Sequence, residues 1–343
     1  MKKKIAILFG GQSTEHEVSR VSAASVLRNI DVTKYEVYPI GITKKGEWFE
    51  YTGSIDEIES GAWENNQFYK NPKAQDILFS KEVDVVFPVL HGLFGEDGTI
   101  QGLCKLIGVP CVGPGVLSSS VCMDKVYTKY VLEHFNIKQA DYVIVSLNEY
   151  KNQKEEIIKT IEKKLNYEVF IKPSNSGSSV GITKAHNREE LEKGLEEALK
   201  YDRKVLVETA INAREVEVAV LGNDEPKASV PGEIVPAKEF YDYEAKYENA
   251  ASELLIPAKL SEDKLEEIRK TAVEVYKALD CSGMARVDFL VDKDTLDVYL
   301  NEVNTIPGFT KISMYPKLWE ATSKDYKRLI DDLIELAIER NNA

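Results

Sequence analysis

The 343-residue sequence predicts an α/β fold, α+β in part. Three observations carry this. The first third alternates apolar strand-like runs with helix-like stretches, the pattern of a parallel layer. The last third mixes β-branched runs with long amphipathic helices. The composition, 43% apolar and 29% charged, is that of a globular protein with a large core.

The chain opens with "MKKKIAILFGG". Ile5–Phe9 is an apolar run too short for a secretory core, and it meets Gly10-Gly11, so it reads as a first strand. A helix follows from about 15 to 29, then strands at 35–43 and 83–92. This first unit spans 1–122. The second unit, 123–207, begins with "CMDKVYTKYVLEHFNI", read as one helix. A strand "YVIV", a Lys/Glu-rich helix over 151–165 and the segment "YEVFIKPSNSGSSVGITKA" come next. Asn187 and Glu190 have capping-box spacing ahead of a stripe of Leu191, Leu195, Ala198 and Leu199. The strand "KVLVETAI" leads into the third unit, 208–343. That unit holds the polar segment 236–255 and a helix from Ser261 to Leu279. A hairpin follows, then a last helix over 324–340. There is no internal repeat.

Net charge of −13 argues against a nucleic-acid surface or a polybasic membrane anchor. No run approaches a membrane span, and the expected location is the cytoplasm. Cys104, Cys111, Cys122 and Cys281 lack metal-site spacing and read as reduced thiols.

The hairpin "RVDFLVDKDTLDVYLNEVN" places polar groups in an otherwise buried element. Side chains alternate faces along a strand, so Arg286 shares a face with Asp288, and Glu302 with Asn304. A hairpin centred on Thr295 sets Asp288 opposite Glu302 and Arg286 opposite Asn304. Like charges directly opposed, with Cβ atoms about 5 Å apart, destabilise a sheet unless a cation joins them. A hard divalent ion such as Mg²⁺ suits these oxygen donors. The adjoining "NTIPGF" offers backbone N–H groups to an anion.

Three lysines stand in unusual settings. Lys125 opens a helix, Lys172 ends an apolar strand, and Lys246 lies in the aromatic stretch "FYDYEAKY". A lysine in a buried strand is costly without an anion. The adjoining "SNSGSSVG" is either a phosphate cradle or a surface turn; it is not a P-loop. After Gly11 the pattern departs from a dinucleotide fingerprint, because Glu15 and Glu17 stand where a pyrophosphate would sit. They read as helix caps, or one of them receives a ligand's ammonium. His91, in "VLHGLFGEDGTIQG" at a strand's C-terminal end, is a ligand partner or a structural residue. His16, His134 and His186 read as surface residues.

Taken together, "GGQSTEHEVS", "LHGLFGEDGTIQG", "MDK", "IKPSNSGSSVG", "FYDYEAKY", "ARVDF" and "NEVNTIPGFTKISMYP" resemble the D-alanine–D-alanine ligases of the ATP-grasp superfamily, in this order along the whole chain. The resemblance implies an ATP-grasp fold behind an N-terminal Rossmann-like parallel-sheet domain. It implies ATP as cosubstrate, with Lys125 and Lys172 on its phosphates, Glu208 and Ile211 at the adenine and Glu215 at the ribose. Lys246 would approach the γ-phosphate as a lid, 239–252, closes. Asp288, Glu302 and Asn304 would bind two Mg²⁺ ions, with Mn²⁺ as an alternative. Glu15 would take the first D-alanine's ammonium in a triad with Ser178 and Tyr247, with His91 nearby. Arg286 and Gly308 would hold the oxyanion, and Ser313 and Met314 the second substrate.

The reaction implied is ATP-dependent formation of D-alanyl-D-alanine through a D-alanyl phosphate, for peptidoglycan precursors. Tyr247 favours a dipeptide product; joining D-alanine to D-serine or D-lactate is the alternative. A non-catalytic ATP-binding or sensing protein would have lost the metal ligands or the arginine. The resemblance also implies a homodimer through the N-terminal domain. Lys311 has no reading.

Overall fold

In the computed structural model, residues 2–80, 82–235 and 253–342 are described. Three sheets organise the chain, and each grows from an apolar run.

Ile5 to Phe9 are fully buried in β1 (Lys3–Gly10), which pairs in parallel with β2 (Tyr35–Ile42) and β5 (Val85–Pro88). Parallel neighbours need a crossover, and the helix His16–Asn29 supplies it between β1 and β2. β3 (Trp48–Tyr51) and β4 (Lys70–Asn71) extend the same sheet antiparallel at one edge. The third strand is shorter than expected: it ends at Pro88, and the chain beyond is loop.

His16 corrects one expectation. It is 1% exposed, with Nδ1 2.7 Å from the Gly11 carbonyl and Nε2 2.9 Å from Glu64 Oε1. The short helix Ala62–Glu64 folds back over the first turn, a tertiary event that local sequence does not announce. His134 and His186 are exposed. The single helix expected from 122 is also two. Val116–Met123 ends at Asp124, whose carboxylate then accepts from the Val126 and Tyr127 N–H groups and starts Lys125–His134.

The second sheet runs β6 (Tyr142–Ser146), β9 (Lys204–Thr209), β7 (Val169–Pro173), β8 (Thr183–Ala185), all antiparallel. The helix Leu147–Lys164 starts earlier than expected, because Ser146 and Glu149 form a capping box. In the helix Arg188–Ala198, Asn187 caps the Glu190 N–H at 3.1 Å. Leu191, Leu195 and Ala198 face the sheet fully buried.

The third sheet is built on β10 (Ala213–Gly222), flanked by β14 (Gly283–Asp292) and then β15 (Val298–Asn304) on one side. On the other lie β12 (Gly232–Val235) and β13 (Glu253–Leu255). The helix Glu262–Ala278 buries Leu265, Ile268, Ala272, Val275 and Tyr276 against it. The C-terminal helix Tyr326–Asn342 reaches back to the first unit. Asp331 accepts from Lys34 at 2.6 Å, and Arg340 donates to the Cys111 carbonyl at 2.8 Å. All four cysteines are buried free thiols. Among the described residues, no helix is long and apolar enough to cross a membrane.

Candidate active site

One cleft gathers residues from around all three sheets: Glu15 and His91 beside the first, Lys125 and Ser178 beside the second, and Arg286, Glu302 and Asn304 from the third. Gly308, Ser313 and Met314 line it as well.

The hairpin register is the expected one at the open end, with Arg286 opposite Asn304 and Asp288 opposite Glu302. Beyond Asp288 the register shifts and Phe289 pairs with Leu300, so Asn301 is an extra residue in β15. Asp288 does not wait alone for a cation. Arg286 donates to it twice, Nε to Oδ1 at 2.8 Å and Nη2 to Oδ2 at 2.7 Å. Asn304 Nδ2 adds a third bond at 2.8 Å. Pairing within the sheet thus offsets part of the repulsion that alternation implied. One further acid joins the row. Glu217 of β10 lies opposite Asp288, with its Oε2 3.0 Å from Arg286 Nε. Three adjacent strands therefore present Glu217, Asp288 and Glu302 in one line.

Glu15 is 7% exposed and makes no side-chain cap to its helix, so the capping role does not apply to it. Ser178 Oγ donates to Glu15 Oε1 at 2.5 Å. Glu15 Oε2 fits between two glycines. A Cβ on Gly92 would lie 2.3 Å from it, and one on Gly177 2.6 Å. Gly92 also has φ +68, which favours glycine. Glu17, by contrast, pairs with Lys44 at the surface.

His91 is buried and fully engaged: Nδ1 lies 2.8 Å from the Ile306 carbonyl and Nε2 3.0 Å from Ser22 Oγ. Burial holds its pKa below the usual imidazole value despite the Glu15 charge. Its ring ties the first unit to the "NTIPGF" loop while lining the cleft. Glu96 does the same. Its two oxygens accept from Gly92 N–H at 2.9 Å and Ile306 N–H at 2.8 Å. Burial, then the Glu15 charge, push its pKa up to about 7. Ser313 Oγ accepts from the Thr310 N–H at 3.0 Å, folding the Gly308–Ser313 turn beneath Met314.

Lys125 Nζ donates to the Ser176 carbonyl at 2.6 Å, which fastens the "SNSGSSVG" loop to the helix start. Lys172 is held by Glu208 Oε2 at 2.7 Å and approaches Asn301 Oδ1 at 3.4 Å. Glu208 Oε1 meets a second lysine, Lys129, at 2.5 Å. Burial alone would raise the Glu208 pKa, but Lys172 and Lys129 outweigh it and lower it to about 2. Ile211 follows β9, and Glu215 lies in β10. Lys246, Tyr247 and the expected lid 239–252 lie outside the described residues.

Sequence reading missed Lys129, Glu96 and Glu217. A signal existed for two of them. Lys129 follows Lys125 by one helical turn, and Glu217 follows Glu215 on the same strand face. Glu96 had none beyond its Gly-rich loop.

Two family models match, "D-ala D-ala ligase N-terminus" over residues 4–114 and "D-ala D-ala ligase C-terminus" over residues 131–335. The D-alanine–D-alanine ligase of Clostridium acetobutylicum is 81% identical over 343 residues, covering all of both chains. Among solved structures, the VanG D-Ala:D-Ser ligase of Enterococcus faecalis superposes with a TM-score of 0.89 at 40% identity, covering 98% of this chain and 100% of that one. The D-alanine–D-alanine ligase of Coxiella burnetii gives 0.86 at 36% identity, covering 99% and 95%. With both halves matched and full-length relatives at such identity, the chain belongs to the D-alanine–D-alanine ligase family.

Proposed function

We infer that the chain joins two D-alanines into D-alanyl-D-alanine in an ATP-dependent reaction that supplies peptidoglycan precursors. The observation that carries this is the paired Glu15 and Ser178 in a cleft that also holds Arg286. A buried carboxylate walled by two glycines suits a small ammonium, and a guanidinium suits the carboxylate of the same amino acid.

In this reading Glu15, oriented by Ser178 and by Tyr247, binds the first D-alanine, with His91 shaping the pocket. The substrate carboxylate is a poor acyl donor until it takes the γ-phosphoryl group of ATP, leaving ADP; the second amine then attacks the acyl phosphate, and inorganic phosphate and a proton leave as the amide forms. Arg286 and the Gly308 N–H hold the developing oxyanion. Arg286, paired with Asp288 and Glu217, borders the cleft where that oxyanion would form. Ser313 and Met314 receive the second substrate. Lys125, Lys172 and Lys246 face the phosphates, Glu208 and Ile211 the base, and Glu215 the ribose. The lid role read for 239–252, which lies outside the described residues, would keep water from the acyl phosphate.

Asp288, Glu302 and Asn304 form an oxygen-donor set on adjacent strands, which fits a hard divalent cation. Two Mg²⁺ ions, or Mn²⁺, would neutralise phosphate charge there. The division into units 1–122, 123–207 and 208–343, a homodimer through the first unit and a cytoplasmic location belong to the same reading.

The 81% identical relative named for D-alanine favours D-alanine over D-serine as acceptor. Mass analysis of the products from ATP and D-alanine, with D-alanine, D-serine or D-lactate as second substrate, tests this. D-alanyl-D-alanine should dominate; a predominant D-Ala–D-Ser or ester product overturns the assignment.

A further inference from the structure

Lys129 is a lysine that the proposed mechanism does not use. It sits on the helix Lys125–His134, is 3% exposed, and aims its ammonium into the interior. Its Nζ lies 2.5 Å from Glu208 Oε1, 3.3 Å from the Ala140 carbonyl and 5.1 Å above the Tyr142 ring. Glu208 is 5% exposed, and its other oxygen holds Lys172.

The three groups form a directly paired cluster of two cations and one anion, with Lys129 and Glu208 buried and Lys172 half-buried, while Glu302 and Glu215 act on Lys172 from beyond it. Burying a charge is costly unless it is paired, and an odd charge left over is the costliest member. Lys129 and Glu208 neutralise one another. The remaining positive charge then resides on Lys172, next to the "SNSGSSVG" loop that β7 feeds into. With Lys129 absent, Lys172 and Glu208 would close as a neutral pair, and an incoming anion would have to compete with Glu208 for the Lys172 ammonium.

We propose that Lys129 is a positioning residue for nucleotide binding: it takes up the Glu208 charge so that Lys172 keeps its own for the phosphates of ATP. This rests on the reading that Lys172 faces those phosphates. Lys129 itself touches neither nucleotide nor amino acid.

The test compares KM for ATP, KM for D-alanine and kcat in the whole enzyme and its Lys129→Met, Lys129→Arg, Lys172→Met and Glu208→Gln variants. A fifth protein combines Lys129→Met with Glu208→Gln. Lys129→Met should raise KM for ATP roughly ten-fold or more, the scale of a charged hydrogen bond, and leave KM for D-alanine unchanged. Lys129→Arg, which keeps the charge, should retain more ATP affinity than Lys129→Met, a rescue by charge that a mere folding defect would not show. In the Glu208→Gln background the Lys129→Met penalty should largely vanish, since the carboxylate that pairs directly with Lys172 is gone. Three results overturn the proposal. Lys129→Met could spare KM for ATP while Lys172→Met raises it. Lys129→Met could disturb KM for D-alanine equally. Or its penalty could persist beside Glu208→Gln. If Lys172→Met itself leaves KM for ATP unchanged, the phosphate assignment of Lys172 fails first, and the proposal with it.

Discussion

The Ser178 hydroxyl donates to Glu15 Oε1 at 2.5 Å and joins residues 163 positions apart in the chain. One lies at the start of the first helix, the other in the loop after β7. The pair exists only in the folded protein, and in the proposed reading it fixes where the substrate ammonium sits. Removing the hydroxyl by Ser178→Ala should raise KM for the first D-alanine by about ten-fold, as expected for loss of one charged hydrogen bond. Ser178 is half-buried in a loop, so thermal unfolding should shift little. Unchanged KM for the first D-alanine would separate Glu15 from substrate binding.

Gly177→Ala tests the same carboxylate by sterics. Its Cβ would press on Glu15 Oε2 at 2.6 Å. The variant should fold and lose D-alanine affinity by at least the Ser178→Ala margin. Isothermal titration with D-alanine reads this directly, and wild-type affinity would mean that the Glu15 carboxylate can shift freely.

Glu302→Gln keeps the shape of its side chain and removes one charge from the hairpin face. It should abolish turnover at ordinary Mg²⁺, with far-UV circular dichroism unchanged, and raised Mg²⁺ or Mn²⁺ should recover part of it. Near-normal turnover would make the hairpin acids structural.

Two acids, Glu208 buried and Glu96 half-buried, should respond to pH in opposite directions. The Glu208 carboxyl falls from an ordinary 4.5 to about 2 in the folded state, so its contribution is complete above pH 4.5 and is lost as pH falls toward 2. The loss amounts to about 3 kcal/mol. Glu96 rises from 4.5 to about 7, so stability is greatest below pH 4.5 and declines as pH rises through 7. Urea unfolding followed from pH 2.5 to 8 should show the acid-side loss flattened in Glu208→Gln. The decline between pH 4.5 and 7 should be flattened in Glu96→Gln. Parallel profiles for wild type and both variants would remove both acids from the account.

Much of this was legible in the sequence because it depends on short-range periodicity. Ile5–Phe9 read as a first strand from its unbroken apolar run. The pairing of Asp288 with Glu302 followed from alternation about Thr295, and the extra residue at Asn301 left that pairing intact. What alternation could not show was who reaches the face from elsewhere. Glu217 arrives from β10, nearly seventy residues earlier, and Arg286 turns along its own strand onto Asp288. His16 read as exposed because the residues that cover it, around Glu64, are set by tertiary folding. The break at Asp124 was hidden because no Gly or Pro marks it; the extended Asp124 backbone ends one helix and its side-chain cap starts the next.

The central claim is that one cleft couples ATP cleavage to D-alanine. Phosphate release from ATP, measured with single amino acids supplied in turn, tests it most directly. Mg²⁺-dependent release should appear with D-alanine, and almost none with L-alanine or without an amino acid. Release that is independent of D-alanine, or absent with it, would contradict the account.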